Sequence, residues 1–144
     1  MQGIAKQNGE IKYLIIVIDV FFKFAWEIPV HFKDAKAIIK TFRQVLTTAK
    51  SRHYHWLQTD KGKKYLNSNF QALMKSQGIQ HCASKSKKKS TVVKQFNRTN
   101  KPRIWKYLSN RGSVLWVNVS QDLVDAYNNS RLRFIGMAPA DVQK

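Results

Sequence analysis

The chain has 144 residues, the size of one domain and too small for a multi-domain machine. Apolar residues make up 43% and charged residues 24%, close to globular averages, which excludes disordered, collagen-like and low-complexity classes. Its 26 Lys and Arg stand against 8 Asp and Glu, a formal charge of +18, so a partner made of phosphate is the leading expectation.

In chain order, Asn8-Gly9 signals a turn. The β-branched apolar run Lys12 to Val20 then predicts a strand covered on both faces, and Lys23 to Val30 an antiparallel hairpin partner ended by Pro29. Ala37, Ile38, Phe42, Val45 and Leu46 recur at helical spacing, predicting a helix from Asp34 to Ala49 capped by Asp34. Tyr54 to Asp60 reads as a strand with Asp60 at its end. Asn67 to Gln77 reads as a helix stopped by Gly78, and Ile79 to Ala83 as a short strand. Ser84 to Ser90 is a loop by composition. Val92 to Leu108 has a helical pattern that Pro102 opposes. Leu115 to Tyr127 is an amphipathic helix, and Ala138 to Val142 a short helical turn. This order predicts one domain over 1–144, a mixed sheet with helices on its faces. Trp26, Phe42, Phe70, Phe96, Trp105 and Trp116 are expected in the core.

Charge and metal-binding residues are unevenly supplied. Between Lys61 and Gln121 there are 14 Lys or Arg and no acid, so a carboxylate site has to draw on Glu10, Asp19, Glu27, Asp34, Asp60, Asp122, Asp125 and Asp141. The single cysteine, Cys82, excludes an intrachain disulfide and a Cys-rich zinc framework. His31, His53, His55 and His81 lack metal-site spacing and read as structural or surface residues. Tyr13 to Phe22, the longest apolar stretch, is broken by Asp19 and is too short to cross a membrane. With no signal-peptide pattern at the start, the expectation is a soluble intracellular protein.

The strings KYLIIVIDVFFKFAWEIPV, LQTDKGKKYLNSNFQALMKSQGIQH, STVVKQFNRTNKPRIWKYL and QDLVDAYNNSRLRFIGMAPADV together resemble the integrase catalytic core of LTR retrotransposons and retroviruses. The likeness is strongest to gypsy-type and transposon-derived integrases of animal genomes, and it runs from about Ile11 to Val142. It implies a ribonuclease H-like three-layer fold. It also implies two Asp and one Glu holding two Mg²⁺ or Mn²⁺ ions, which stabilise the attacking and leaving oxygens of phosphoryl transfer.

By that resemblance Asp60, in TDKG, is the central catalytic and metal-binding Asp. The Glu position is held by Lys94, with 33 residues between it and Asp60. Exchanging a carboxylate for an ammonium turns attraction into repulsion, roughly 4 kcal/mol per unit-charge pair at about 4 Å and a dielectric near 20, doubled for a divalent ion. The resemblance assigns Asp19 to a second strand, where a structural role is expected and a metal-ligand role is the alternative. The first catalytic Asp falls ahead of Met1, with the first strand largely missing. As that strand is central in the family, two strand edges would be left unpaired unless part of residues 1–7 fills the gap. Pro102, Asn100 and Lys64, which replaces a common Glu, read as further departures from the family pattern.

Lys61, Lys85, Lys87, Lys88, Lys89, Lys94, Arg98, Lys101 and Arg103 are the expected DNA contacts, reading phosphate rather than sequence. The KSKKKS run also fits a nuclear-localisation signal. The resulting expectation is an integrase core whose ancestral reaction is metal-dependent DNA strand transfer and whose own catalysis is lost, with a homodimer implied by the family and nuclear location. Competing expectations are a DNA-binding module without catalysis and a nonfunctional transposon remnant.

Overall fold

The computed structural model describes residues 4–49, 52–84 and 91–142. They form four strands and four α-helices: β1 Tyr13–Ile18, β2 Ala25–Val30, α1 Ala35–Thr48, β3 Trp56–Thr59, α2 Ser68–Ser76, β4 Gln80–Ala83, α3 Thr91–Arg111 and α4 Trp116–Asn128. Short 3₁₀ turns occupy Lys6–Asn8, Lys63–Tyr65 and Pro139–Asp141. The chain divides into two compact units, Met1–His31 with Val92–Lys144, and Phe32–Thr91.

In the first unit β1 and β2 pair antiparallel in the register Tyr13↔Val30 to Ile18↔Ala25, as the hairpin reading expects. The turn between them is built by Asp19, whose Oδ1 accepts the N–H groups of Phe21 and Phe22 at 2.8 and 2.9 Å. Pro29 lies opposite Leu14 inside β2 rather than after it, a position open to proline in an edge strand. At the other end of β2, Ala25 gives its N–H to Asn128 Oδ1 and takes the Asn128 side-chain N–H on its carbonyl, at 2.9 and 2.8 Å. One amide thus replaces a neighbouring strand for that residue.

Two apolar clusters hold α3 and α4 in this unit. Ile104, Leu108, Trp116 and Val119 pack with Ile4, Ile11 and Leu14. Ala25, Phe96 and Val124 pack with Ile16, Ile18 and Tyr127. Helix α3 runs unbroken through Pro102, contrary to the break the sequence suggests. Proline withholds one N–H from the carbonyl of Arg98 and costs about 3 kcal/mol. Pro102 sits on the exposed side, while Phe96, Ile104 and Leu108 bury the opposite side and outweigh that cost. Asn100, on the same buried side, donates to Glu27 Oε2 at 2.9 Å. A residue that reads in the sequence as a weak helix former therefore has a specific partner.

Of the stretch 1–7 expected to fill the gap, residues 1–3 lie outside the described residues, and the 3₁₀ turn Lys6–Asn8 is not a strand. The reason is Asn8. Its buried side chain donates to the carbonyls of Ile4 and Val114 at 2.9 and 2.7 Å and accepts from Trp116 N–H at 2.8 Å, capping α4 from about a hundred residues away in sequence.

In the second unit β3 and β4 pair in parallel, Trp56↔Gln80 to Thr59↔Ala83. Asp34 caps α1 through Ala37 N–H and Asn67 caps α2 through Phe70 N–H, at 2.8 and 2.9 Å. Gly78 turns the chain into β4 at φ +66°, a conformation that favours glycine. Phe70 is the centre of the packing, with ring centroids 5.2 Å from Phe42, 5.6 Å from Tyr65 and 5.4 Å from His81. The β1–β2 and β3–β4 ladders are separate two-stranded sheets, one antiparallel and one parallel, and no ladder joins them among the described residues. This is the mixed α/β class expected, with the sheet in two parts.

Glu27 is 5% exposed, its Oε1 has no hydrogen-bond partner, and burial pushes its carboxyl up to about 7 despite the Asn100 bond, which favours the ion. A raised carboxyl pKa stabilises the fold below the unfolded value of 4.5, and that stability drains away as pH rises toward 7. Glu27→Gln is therefore expected to match wild type at pH 4 and to exceed it by about 2 kcal/mol at pH 8, read by urea unfolding at both pH values. Asn128→Ala strands two backbone groups of Ala25 and is expected to cost about 2–4 kcal/mol, seen as a lower urea midpoint at unchanged slope.

Candidate nucleic-acid interface and the Asp60 turn

Asp60 follows the last residue of β3 and is exposed. Its Oδ1 accepts the Gly62 N–H at 2.9 Å, and a Cβ on Gly62 would lie 2.9 Å from that same oxygen. A side chain at position 62 would make the Asp60 carboxylate shift away from that N–H. Burial first, and the negative charge of Asp60 second, push the Tyr65 phenol up to about 12, while Lys64 Nζ lies 5.0 Å from the Tyr65 ring centroid.

The carbonyl end of Asp60 is held by a chain of side chains. Gln71 Nε2 lies 2.9 Å from the Tyr65 carbonyl and 2.8 Å from His81 Nδ1. An amide nitrogen can only donate, so Nδ1 accepts and the imidazole proton sits on Nε2. Nε2–H then donates to Thr59 Oγ1 at 2.7 Å, and that hydroxyl donates to the Asp60 carbonyl at 2.8 Å. Burial lowers the His81 pKa, which favours the neutral ring this network needs. In the sequence His81 reads only as a structural or surface histidine. The signal missed is that parallel pairing of β3 with β4 sets it beside Thr59.

Asp60 is flanked by Lys61, Lys63 and Lys64, and no group of three His, Cys, Asp or Glu comes together among the described residues. Such a donor set does not fit a pair of divalent cations, which demands several clustered oxygens. Asp19 is buried and spends one carboxylate oxygen on its own hairpin turn.

On α3, Phe96, Asn100, Ile104 and Leu108 recur every four residues and are buried. Lys94, Arg98 and Lys101 recur at four and three residues on a separate, exposed face. Trp105, four residues further on, continues that face and is 47% exposed. It is therefore not a core residue as expected, and Trp26 is only half-buried, whereas Phe42, Phe70, Phe96 and Trp116 are buried. The 94-98-101-105 spacing could have revealed the placement of Trp105. Arg103 is exposed on a different side of α3, and Lys61 is exposed in the Asp60 turn. Lys85, Lys87, Lys88 and Lys89 lie outside the described residues. No described helix is long and apolar enough to cross a membrane.

No protein-family model matches the chain. It is 28% identical over 148 aligned residues to an uncharacterized transposon-derived protein of Caenorhabditis elegans, a match that covers 100% of this chain and 50% of the relative. The chain thus spans half the length of that relative. Among solved structures, the HTLV-2 integrase catalytic core with magnesium superposes in its trimeric form with a TM-score of 0.75 at 18% identity, over 91% of this chain and 84% of that one. Its dimeric form gives 0.73 at 18%, over 90% and 81%. A chain of the simian T-cell lymphotropic virus intasome, in complex with a PP2A regulatory subunit, gives 0.77 at 17%, over 88% and 46%. The chain is similar in fold to retroviral integrase catalytic cores, of the ribonuclease H-like class, and in sequence to a transposon-derived protein, the two likenesses expected from the strings around Asp60 and Lys94.

Proposed function

We propose that this chain, as one integrase-like core, binds DNA through phosphate contacts and does not catalyse strand transfer. The observation that carries the reading is the exposed stripe of α3 that bears Lys94, Arg98 and Lys101 together. A rigid helix offers those cations to a phosphate backbone without first ordering a loop. No Asp or Glu lies within the block from Lys61 to Gln121, and Glu27, which meets α3 at Asn100, is buried on the side away from Lys94, Arg98 and Lys101. Lys61, Arg103 and lysines 85, 87, 88 and 89 contribute to the net charge of +18, which draws a polyanion toward the chain as a whole.

Loss of catalysis rests on Lys94. It stands where the resemblance puts the third carboxylate, and its ammonium repels a divalent ion instead of holding it. Mg²⁺ or Mn²⁺, the family's ions, would find in Asp60 one exposed carboxylate among lysines, and weak binding follows. Nuclear location and pairing of two copies belong to this reading. The dimeric form of the HTLV-2 core supports the second of these.

Affinity for a random duplex, followed by fluorescence anisotropy, is expected to fall steeply between about 50 and 200 mM salt. Replacing Lys94, Arg98 and Lys101 together by Ala should lower the log–log salt slope by about 3; affinity indifferent to salt would refute the phosphate reading. With Mn²⁺ and a supercoiled plasmid, neither wild type nor Asp60→Ala is expected to nick or join DNA. Nicking that disappears in Asp60→Ala would show a working metal site.

A further inference from the structure

We propose that the α3 face is built for a single strand, with Trp105 as the platform on which an unpaired base stacks. The inference rests on the phosphate-binding reading of the same face and adds the kind of nucleic acid it prefers. Four positions, 94, 98, 101 and 105, share one stripe of a continuous helix, about 16 Å long at 1.5 Å per residue. Three of them are cations and the last is an indole 47% exposed.

The arrangement fits one occupant better than another. A large aromatic held half in solvent on a rigid helix has its apolar surface unshielded, which costs free energy unless a flat apolar partner covers it. Positive charge beside it excludes a basic partner and favours a polyanion. Within duplex DNA the base faces are already stacked on one another, so the indole has nothing to cover it. In a single strand every base has a free face, and a run of cations ending in an exposed aromatic can follow a backbone while stacking one of its bases. Neither Trp105 nor the cations recognise a particular base, so the preference is for strandedness and not for sequence.

Trp105 lies outside the buried 96-100-104-108 row, and Trp105→Phe keeps an aromatic in its half-buried place, so the two variants together separate stacking from lost packing. Binding is measured by anisotropy at one salt concentration with a labelled, non-self-complementary DNA oligonucleotide and with its duplex, for wild type, Trp105→Ala and Trp105→Phe. The Ala variant is expected to bind the single strand on the order of tenfold more weakly. The Phe variant should stay within about threefold of wild type, and duplex affinity should be unchanged in both. Single-strand affinity unaltered in Trp105→Ala would overturn the proposal, as would equal losses for single strand and duplex. If wild type binds neither probe, the phosphate-binding reading fails as well; if it binds both and only the Trp105 result is negative, that reading stands and stacking alone is refuted.

Discussion

One hydrogen bond inside an otherwise apolar seam sets what this molecule presents to solvent. Asn100 of α3 reaches Glu27 of β2 at 2.9 Å, with Phe96, Ile104 and Leu108 buried on the same side of the helix. Apolar packing alone tolerates small rotations of a helix about its axis, because it is not directional. A buried polar pair does not, since any turn away leaves a desolvated group without its partner. With α3 held in that rotation, Lys94, Arg98, Lys101 and Trp105 must face outward. The exposed basic face is a consequence of what the opposite side buries.

The two most informative carboxylates have opposite environments. Glu27 is taken out of water and pushed toward its neutral form, so it works as a packing group with a hydrogen-bonding edge. Asp60 stays exposed, with Gly62 donating to its carboxylate and the Thr59–His81–Gln71 chain holding its carbonyl. The turn that presents Asp60 is thus still fully constructed, while lysines crowd its surroundings. A single exposed carboxylate among lysines, with no group of three His, Cys, Asp or Glu beside it among the described residues, is a poor donor set for a pair of divalent ions.

Much of this was legible in the residues. Helices α1 and α2 begin where Asp34 and Asn67 can cap them, and both caps are made by local chemistry that a sequence displays. The hairpin and the strand ending before Asp60 follow from β-branched runs and turn residues in the same way. What escaped was non-local. Asn8 caps α4 from the far end of the chain, Asn128 substitutes for a strand beside Ala25, and burial of three apolar residues carries α3 through Pro102. For the site, the basic block was plain from composition. That three of its cations share a face with Trp105 required the helix to be continuous, and the proline argued against that.

The central claim is that the exposed stripe of α3 is where DNA lies, and acetylation footprinting of the lysines by mass spectrometry tests it most directly. With duplex DNA bound at low salt, Lys94 and Lys101 should be protected from acetylation relative to Lys36 and Lys40 of α1, and the protection should vanish as salt displaces the DNA. Modification of Lys94 and Lys101 at the same rate with and without DNA would contradict the account.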